Sequence, residues 1–536
     1  MNRRWFALLF LLAAPDASAD WTASGRFQYV DRPYGLDGFT GEELPLPVRE
    51  ADIEVIDANR NGNSAILARG STAQDGSFEI FLADDKIRDV YVRVLTGSDQ
   101  TSDLFIEVKS GTGNNAPLYA AVTDTLLDHP PGVSVDFGTA TVQIGQGAEA
   151  FNIFDQLRVG ADFLAYLNGT RPGSADALTA VWGYANGLGT AYYAGFGTIM
   201  LRDSAAFDDT VILHEMGHFA VERFSDSDNP GGSHGFTECG QDVRLAYDEG
   251  FATYWGNAAI RHGGAAGSHV YLRTNGGPGP GNAVRSADLE GDPRYDCRGS
   301  ASEVNVFTLL WDITDGPWTA DDTPDLDETY DQVALPDGEI WEVVTGPVAT
   351  ADNVSLGDLW DGWFLPPVLN GYIPEMIGLA RRLSIGHYPD EQEPNDVPAD
   401  AAPIASSGSW VAATFFADPD LDGSGDGAGD VDLFAFDAVQ GRALRIRTFA
   451  LAGDTQTRVV VLDETGSNVL VEDVGMPGSL LTFEPLVTGR HLLRVTQAAP
   501  LAAYGSYRLS ILEIGREAPT PLAESDSSSP VELRQD

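Results

Sequence analysis

Cationic side chains are scarce in this sequence. Its 536 residues include 32 lysines and arginines against 80 aspartates and glutamates, so the formal net charge is −48. Because nucleic acids and anionic membrane surfaces repel a chain of this sign, we expect neither as a partner. Aromatic residues make up 10% of the chain, which distinguishes it from disordered acidic sequences. The composition therefore predicts a folded acidic protein.

Long apolar runs are absent beyond the first twenty residues. The chain begins with two early arginines, continues with the apolar run 5–14 and reaches Ala17-Ser18-Ala19, a small-residue cleavage pattern. This layout is typical of a secretory (Sec-type) signal peptide over residues 1–19, and the run is too short to span a bilayer. We therefore expect a protein exported to the periplasm or the medium, without insertion into the membrane.

Cysteine occurs only twice, as Cys239 and Cys297. A pair of zinc thiolates would need further cysteine or histidine at short spacing, and the sequence around them does not supply it. An even pair in an exported protein is most simply one disulfide, and two buried free thiols are the remaining alternative.

Histidine is rare too, yet two of the eight histidines lie four residues apart in the motif HEMGH at 214–218. An aspartate pair at 208–209 is a good N-cap, so the segment is predicted to be a helix. On a helix, His214 and His218 share one face and can bind one metal ion, while Glu215 can reach a water on that metal. The alternative is a surface helix with two unrelated histidines.

A third ligand is available about thirty residues later. Glu249 begins a second predicted helix, and the small residues Gly250 and Ala252 beside it would let two helices approach closely. Catalytic zinc sites usually have three protein ligands and an open position for water, and His-His-Glu is one such set. The alternative for Glu249 is an ordinary carboxylate at a helix N-terminus, favoured by the helix dipole.

The motif HEMGH followed by DEGFATY resembles the gluzincin metallopeptidases, over roughly residues 150–385. The resemblance implies that His214, His218 and Glu249 bind zinc and that Glu215 is the general base that activates water against a peptide bond.

Two details of this region bear on substrate and ligand support. Residues 198–202 resemble the edge strand before the active helix of such enzymes, to which an extended substrate adds as a further strand. Thr253 stands where thermolysin-like enzymes have an aspartate, which leaves the hydrogen-bond support of a zinc-binding histidine unassigned.

Hydrolysis also needs a donor for the oxyanion of the reacting carbonyl. His234, Tyr254 and Glu303 are candidates for this task or for supporting the ligands. Each has a structural alternative, since His234 can be an ordinary loop histidine and Tyr254 a core residue. Glu303 and Asn305 interrupt an apolar run, where they can also serve as partners for buried backbone groups.

Strand-rich regions lie on either side of the motif. Residues 20–110 carry short alternating strands and resemble the carboxypeptidase regulatory-like β-sandwich. Near the other end, EPND (393–396), GDVDLFAF (429–436) and YGSYRL (504–509) resemble the bacterial pre-peptidase C-terminal domain, a β-sandwich found behind the catalytic domain of secreted bacterial peptidases. That resemblance implies a bacterial source.

A candidate calcium loop lies within the last of these regions. Asp418, Asp420, Asp422 and Asp426 follow the spacing D-x-D-x-D-G-x-x-D, which places oxygen ligands around a hard cation such as Ca²⁺. An EF-hand would have glutamate at the twelfth position, but Gly429 stands there. The loop therefore resembles a repeat-type calcium site, with a flexible acidic loop as the alternative.

These observations predict a multidomain protein with a central α+β zincin-like catalytic domain between two β-sandwiches, the second jelly-roll-like. The predicted segments are the signal peptide 1–19, the first sandwich 20–110, a connector with strands 111–150, the zinc peptidase domain 151–388, the second sandwich 389–516 and a disordered tail 517–536.

The predicted function is that of a secreted zinc peptidase acting on peptides or proteins. Two alternatives remain from other classes: a catalytically silent zincin fold that serves as a binding or adhesion module, and a zinc hydrolase of non-peptide amides. The sequence does not indicate the cleavage preference, the choice between internal and N-terminal cleavage, or the oligomeric state.

Overall fold

The computed structural model describes residues 20–58, 64–98, 104–113, 115–183, 191–235, 238–265, 267–274, 284–290, 297, 299–315, 333–363, 373–386, 390–415, 430–451, 455–475, 478–498 and 505–515. The predicted signal peptide and C-terminal tail lie outside these ranges. The chain divides into two compact units, Met1–Phe219 with Ala259–Ser286 and Ala220–Ala258 with Ala287–Asp536. None of the described helices combines the length and apolar character needed to cross a membrane.

Strands dominate the chain before the first long helix. In the described residues they are β1 (Asp20–Asp31), β2 (Tyr34–Gly35), β3 (Gly38–Phe39), β4 (Leu44–Pro47), β5 (Asp52–Asp57), β6 (Ala65–Ser71), β7 (Ser77–Ala83), β8 (Arg88–Leu95), β9 (Ile106–Lys109), β10 (Ala120–Val122), β11 (Leu126–His129) and β12 (Val135–Val142). The first part of β1 pairs antiparallel with β7, and its last residues pair antiparallel with β4. β1 also pairs in parallel with β12. A second sheet has the order β10-β8-β5-β6, and β11 also pairs with β8.

The strands predicted between residues 24 and 97 are confirmed, and their burial explains the pattern. In β7, the buried side chains of Phe78, Ile80 and Leu82 alternate with exposed neighbours, so one face of the strand is covered. β5 is buried along its whole length and lies between β6 and β8 in its sheet. The turn signal at Asn61 lies outside the described residues.

The middle region alternates helices with short strands. Its elements are α1 (Ala148–Asn168), β13 (Leu178–Val181), β14 (Tyr192–Tyr193), β15 (Thr198–Met200), α2 (Asp209–Phe224), α3 (Val243–His262), β16 (Val270–Thr274), β17 (Val284–Asp288), α4 (Glu303–Thr314), α5 (Asp337–Thr345), α6 (Leu356–Trp363) and α7 (Ile373–Arg382). Short 3₁₀ turns occur at Ser174–Asp176, Asp203–Ala205 and Val348–Thr350.

Helix α1 confirms the helical pattern predicted after residue 150. Gly169, the residue that caps its C-terminus, has a φ of 79° and donates its backbone N–H to the carbonyl of Ala165 at 2.9 Å. A glycine is favoured there because the left-handed conformation is strained for residues with a Cβ. Gly160 faces α2, and a Cβ at that position would lie 2.4 Å from the sulfur of Met216. The missing side chain lets the two helices pack closely.

A further sheet, which also lies before α2 in the chain, has the order β14-β15-β13-β9. β9, β13 and β15 are parallel, whereas β14 is antiparallel to β15. The prediction that residues 198–202 form the edge strand is wrong, because the two-residue strand β14 pairs with Ile199 and Met200 and is the outermost described strand. β9 pairs across the predicted border at residue 110, and the domain borders themselves stay predictions.

Helices α3 and α4 pack closely at Gly250. A Cβ there would lie 2.6 Å from the Cβ of Val306 and 2.9 Å from the carbonyl oxygen of Glu303. The small residues after Glu249 were expected to permit a close helix approach, and the structure identifies α4 as the partner at Gly250. Glu249 and Glu303 therefore belong to two helices in very close contact.

The C-terminal part is again built from strands. They are β18 (Ala402–Pro403), β19 (Ser407–Phe415), β20 (Val431–Ala438), β21 (Leu444–Phe449), β22 (Thr457–Leu462), β23 (Val469–Val474), β24 (Leu480–Phe483), β25 (Gly489–Gln497) and β26 (Gly505–Glu513). Two sheets form, with the orders β18-β20-β25-β22-β23 and β19-β26-β21-β24. Buried side chains of both sheets, including Phe434, Phe436, Ile446 and Leu509, share one core, so the two sheets make a sandwich.

Replacing Gly250 with alanine should destabilise the protein by about 1–3 kcal/mol, because the new methyl group overpacks the contact between α3 and α4. The matched control is Gly378→Ala in α7, where a Cβ would meet nothing within 4 Å. That change should be neutral or stabilising by up to about 1 kcal/mol, since alanine favours a helix. Urea unfolding of both variants measures the difference, and equal stability would contradict the packing argument.

Candidate metal centre

Helix α2 begins as the aspartate pair predicts. The carbonyl of Asp208 accepts the backbone N–H of Ile212 at 3.0 Å, and Asp209 is the first helical residue. The carboxylate of Asp209 also accepts a hydrogen bond from Asn152 of α1 at 2.8 Å. Burial, followed by the charge of Asp31, raises the pKa of Asp209 well above its usual value. These contacts fix the start of the helix that carries the HEMGH motif.

The two histidines of the motif face each other. The Nε2 atoms of His214 and His218 are 3.2 Å apart, and their rings are nearly perpendicular at 88°. Two nitrogens bound to one tetrahedral zinc are about 3.4 Å apart, because each bond is about 2.0–2.1 Å long. The spacing therefore fits two ligands of one ion. Glu215, between them in sequence, is 6% exposed.

The predicted third ligand, Glu249, lies on α3, in the part of that helix that belongs to the second unit, whereas both histidines belong to the first unit. A set of two imidazoles and one carboxylate has the chemistry of a catalytic zinc site. The place of Glu249 in that set stays a prediction.

Two side chains that were not predicted as part of the site contact Asp248 and Glu249, in the second turn of α3. Asn229 donates to Asp248 at 2.9 Å and lies 3.4 Å from Oε1 of Glu249. Ser227 donates to the other oxygen of Asp248 at 2.7 Å. Hydrogen bonds of this kind hold a ligating carboxylate in place. No sequence motif identifies Ser227 and Asn229, since they lie in the loop after α2 and contact mainly Asp248, the neighbour of the proposed ligand Glu249.

His234 joins a second group of donors. Its Nε2 lies 3.4 Å from an oxygen of Glu249 and 3.4 Å from an oxygen of Glu303. Contact with Glu249, aided by the charges of both carboxylates, raises the pKa of His234 to about 9. Burial raises the pKa of Glu303 to about 7, although the charge of His234 acts in the opposite direction. Two of the three candidates named for the oxyanion or for ligand support, His234 and Glu303, therefore lie beside Glu249.

Two other polar residues of the prediction have structural partners. The hydroxyl of Tyr254, a buried residue, donates to Asp337 at the start of α5 at 2.7 Å. Asn305 donates to the backbone carbonyls of Cys297 and Gly299 at 3.2 and 3.0 Å. Asn305 thus serves as a partner for buried backbone groups, which was one of the two interpretations offered. The role of Tyr254 at the site stays a prediction.

The predicted disulfide is confirmed. Cys239 and Cys297 are bonded, and their Cα atoms are 5.0 Å apart. The bond links the loop that carries His234 to the segment before α4. Gln241 connects the same two segments, because its side chain accepts the backbone N–H of Glu303 at 2.7 Å.

A third donor group lies in the C-terminal part and was not predicted. It comprises Asp390, Glu393 and Asp432, all of which offer oxygen, the donor that hard cations such as calcium prefer. Burial raises the pKa of all three carboxyl groups, that of Glu393 to about 7. Tyr507 donates to Asp432 at 2.6 Å. The calcium loop predicted at 418–426 lies outside the described residues.

Comparisons with known proteins give little information. No family model matches the chain. An uncharacterised protein of Archaeoglobus fulgidus is 28% identical over 147 residues, which cover 27% of this chain and 38% of that protein. A pre-peptidase C-terminal domain of a Bacillus anthracis collagenase aligns with 21% of this chain and 93% of its own length, at 15% identity and a TM-score of 0.16.

A second solved structure, a 9R-lipoxygenase from Cyanothece, covers 32% of this chain and 27% of its own length, at 17% identity and a TM-score of 0.15. Scores of this size do not establish a shared fold. The match to the curated relative covers little more than a third of that protein's length. The function must therefore be argued from the site itself.

Breaking the disulfide should lower stability. The bond closes a loop with a sequence separation of 58, for which the chain-entropy model gives a stabilisation on the order of 4 kcal/mol. We expect a lower melting temperature in reductant, measured by calorimetry. The double variant Cys239→Ser, Cys297→Ser should melt at the lower temperature whether or not reductant is present. A reductant effect of equal size in that variant would disprove the assignment of the effect to this bond.

Glu393 should make stability depend on pH. Its pKa is about 7 in the folded chain against an ordinary value of 4.5, so the unfolded chain releases this proton first. The contribution of Glu393 to the free energy of unfolding therefore falls as the pH rises from about 4.5 to 7. In the presence of a chelator, Glu393→Gln should raise the melting temperature at pH 8 and leave it unchanged at pH 4. The exposed neighbour Glu391→Gln is the control; a rise of the same size there would contradict the burial argument.

Proposed function

We propose that the protein is a secreted zinc-dependent peptidase, with His214, His218 and Glu249 as the metal ligands and Glu215 as the general base. The observation that carries the proposal is the pair of facing Nε2 atoms of His214 and His218, which are 3.2 Å apart, close to the spacing of two ligands on one zinc ion. Two unrelated histidines on a surface helix would have no reason to direct these atoms at each other.

The chemistry follows from the residue types. Zinc in such a set lowers the pKa of a water toward 7 and polarises the carbonyl to be attacked. The carboxylate of Glu215 accepts a proton from the attacking water and later delivers it to the leaving nitrogen. Its buried position favours that role, because a carboxylate shielded from bulk water exchanges its proton with the reactants.

The sheet before α2 supports a peptide as the substrate. β14 is its outermost described strand and ends a few residues before β15, which leads into the helix of the motif. An extended peptide can add to the edge of a sheet through main-chain hydrogen bonds. We therefore place the substrate along β14 rather than along residues 198–202.

Zinc content and peptide hydrolysis, measured together on the mature protein, test the proposal. Wild type should contain zinc and cleave a casein or mixed-peptide substrate. Glu215→Gln should keep the zinc but lose activity by roughly 10²–10⁴-fold, the usual contribution of a general base. His218→Ala should lose the zinc ion held by the HEMGH motif, and with it the activity.

The matched control is His262→Ala, which removes an exposed histidine at the end of α3 that stacks on Tyr166. It should leave zinc and activity unchanged. Full activity in Glu215→Gln would rule out the assigned mechanism. A wild type that takes up no zinc, even after incubation with the metal, would rule out a zinc peptidase altogether.

A further inference from the structure

Three side chains from separate segments converge within the second unit. His234 lies in the loop between α2 and α3, Glu249 on α3 and Glu303 at the first position of α4, and their ligand atoms are within 4.8 Å of one another. The side chains are 26%, 12% and 5% exposed, respectively. Two carboxylates and one imidazole therefore share a small, largely buried volume.

The distances in this group fit metal ligands better than hydrogen bonds. Nε2 of His234 is 3.4 Å from Oε2 of Glu249 and 3.4 Å from Oε2 of Glu303. A hydrogen bond between an imidazolium and a carboxylate is usually about 2.7–2.9 Å long. A nitrogen and an oxygen on the same tetrahedral zinc are about 3.4 Å apart, because each bond is about 2.0–2.2 Å long.

The orientation of His234 is that of a ligating histidine. Its Nδ1 lies 3.3 Å from the carbonyl oxygen of Gly232, to which an Nδ1–H can donate. When Nε2 releases its own proton on metal binding, the lone pair is left on that atom, which is directed at both carboxylates. Histidines that bind metals commonly donate their other ring N–H to a backbone carbonyl in this way.

Glu303 adds an independent sign that a cation belongs here. Its side chain is almost fully buried, and its Oε1 has no hydrogen-bond partner among the described residues. The groups acting on it are the charges of His234, Glu249 and Glu238, two of which are negative, and a side-chain hydrogen bond with Gln241. A buried carboxylate with so little compensation is costly unless it is paired or coordinates a metal.

The surroundings hold the three donors together. The close contact at Gly250 fixes α3 against α4, and Gln241 accepts the backbone N–H of Glu303. The disulfide joins the loop of His234 to the segment before α4. A site whose donors are fixed before binding loses less conformational entropy when an ion arrives.

We propose that His234, Glu249 and Glu303 bind a second divalent metal ion, with Glu249 shared between this site and the HEMGH site. One nitrogen and two oxygens suit zinc, manganese or ferrous iron. A carboxylate shared by two ions is a familiar arrangement in two-metal hydrolases. The new site lies beside the proposed catalytic one and rests on the proposed function only in sharing Glu249.

Zinc stoichiometry of the full mature protein tests the inference. The protein is stripped with a chelator, dialysed against micromolar zinc and analysed for zinc per chain. Wild type and His262→Ala should each bind two zinc ions. Glu303→Gln, nearly isosteric, and His234→Ala should each bind one, as should His218→Ala. Circular dichroism melts confirm that every variant is folded.

The single variants separate this inference from the proposed function. Two ions in wild type, with one lost in Glu303→Gln and a different one lost in His218→Ala, support both. One ion that only His218→Ala removes overturns the second site and leaves the peptidase proposal intact. One ion that only Glu303→Gln and His234→Ala remove overturns the proposed zinc ligands and supports the site at His234. One ion lost in all three variants overturns the second site.

Discussion

Buried negative charge is the constraint on which this structure depends. The chain has 80 acidic side chains and only 32 lysines and arginines, so its carboxylates far outnumber the cationic side chains that could pair with them. In the first unit the buried Asp155 is paired with Arg49 and Arg158 and also accepts the hydroxyl of Tyr29. At Glu303 the nearest positive group is a single histidine. Where no arginine is near, a buried carboxylate either takes up a proton, as the raised pKa of Glu303 indicates, or is stabilised by a metal ion.

This constraint links stability to function. Metal ligands must be deprotonated and brought together, so an ion that binds only the folded chain stabilises the fold by its binding free energy. Close packing and a covalent bond hold the elements that carry the proposed donors. The backbone of α3 at Gly250 packs against the side chain of Val306 in α4, and a disulfide joins Cys239 to Cys297. The same contacts that maintain the fold near α3 therefore position the ligands.

The sequence predicted the histidine pair, because the spacing of His214 and His218 follows from helical periodicity. Glu249 was proposed as the third ligand because it was expected to begin a second apolar helix. That expectation was wrong in detail, since α3 begins six residues earlier, at Val243. The grouping of His234 with Glu303 could not be predicted, since 69 positions separate the two in sequence and no local rule relates a loop to a distant helix start. The edge strand was misassigned for a similar reason, because two residues are too few to show the alternation of a strand.

In the proposed arrangement, sharing Glu249 would make the two metal sites interdependent. With two neutral imidazoles and one carboxylate, a divalent ion at the HEMGH site keeps a net positive charge, which favours polarising a carbonyl. A second ion nearby adds positive charge, and the carboxylate of Glu303 offsets part of it. Without Glu303, repulsion between the ions would oppose double occupancy. That arrangement would explain why Glu303 is buried with only His234 as a nearby positive group, and why Nε2 of His234 is directed at two carboxylates rather than at one.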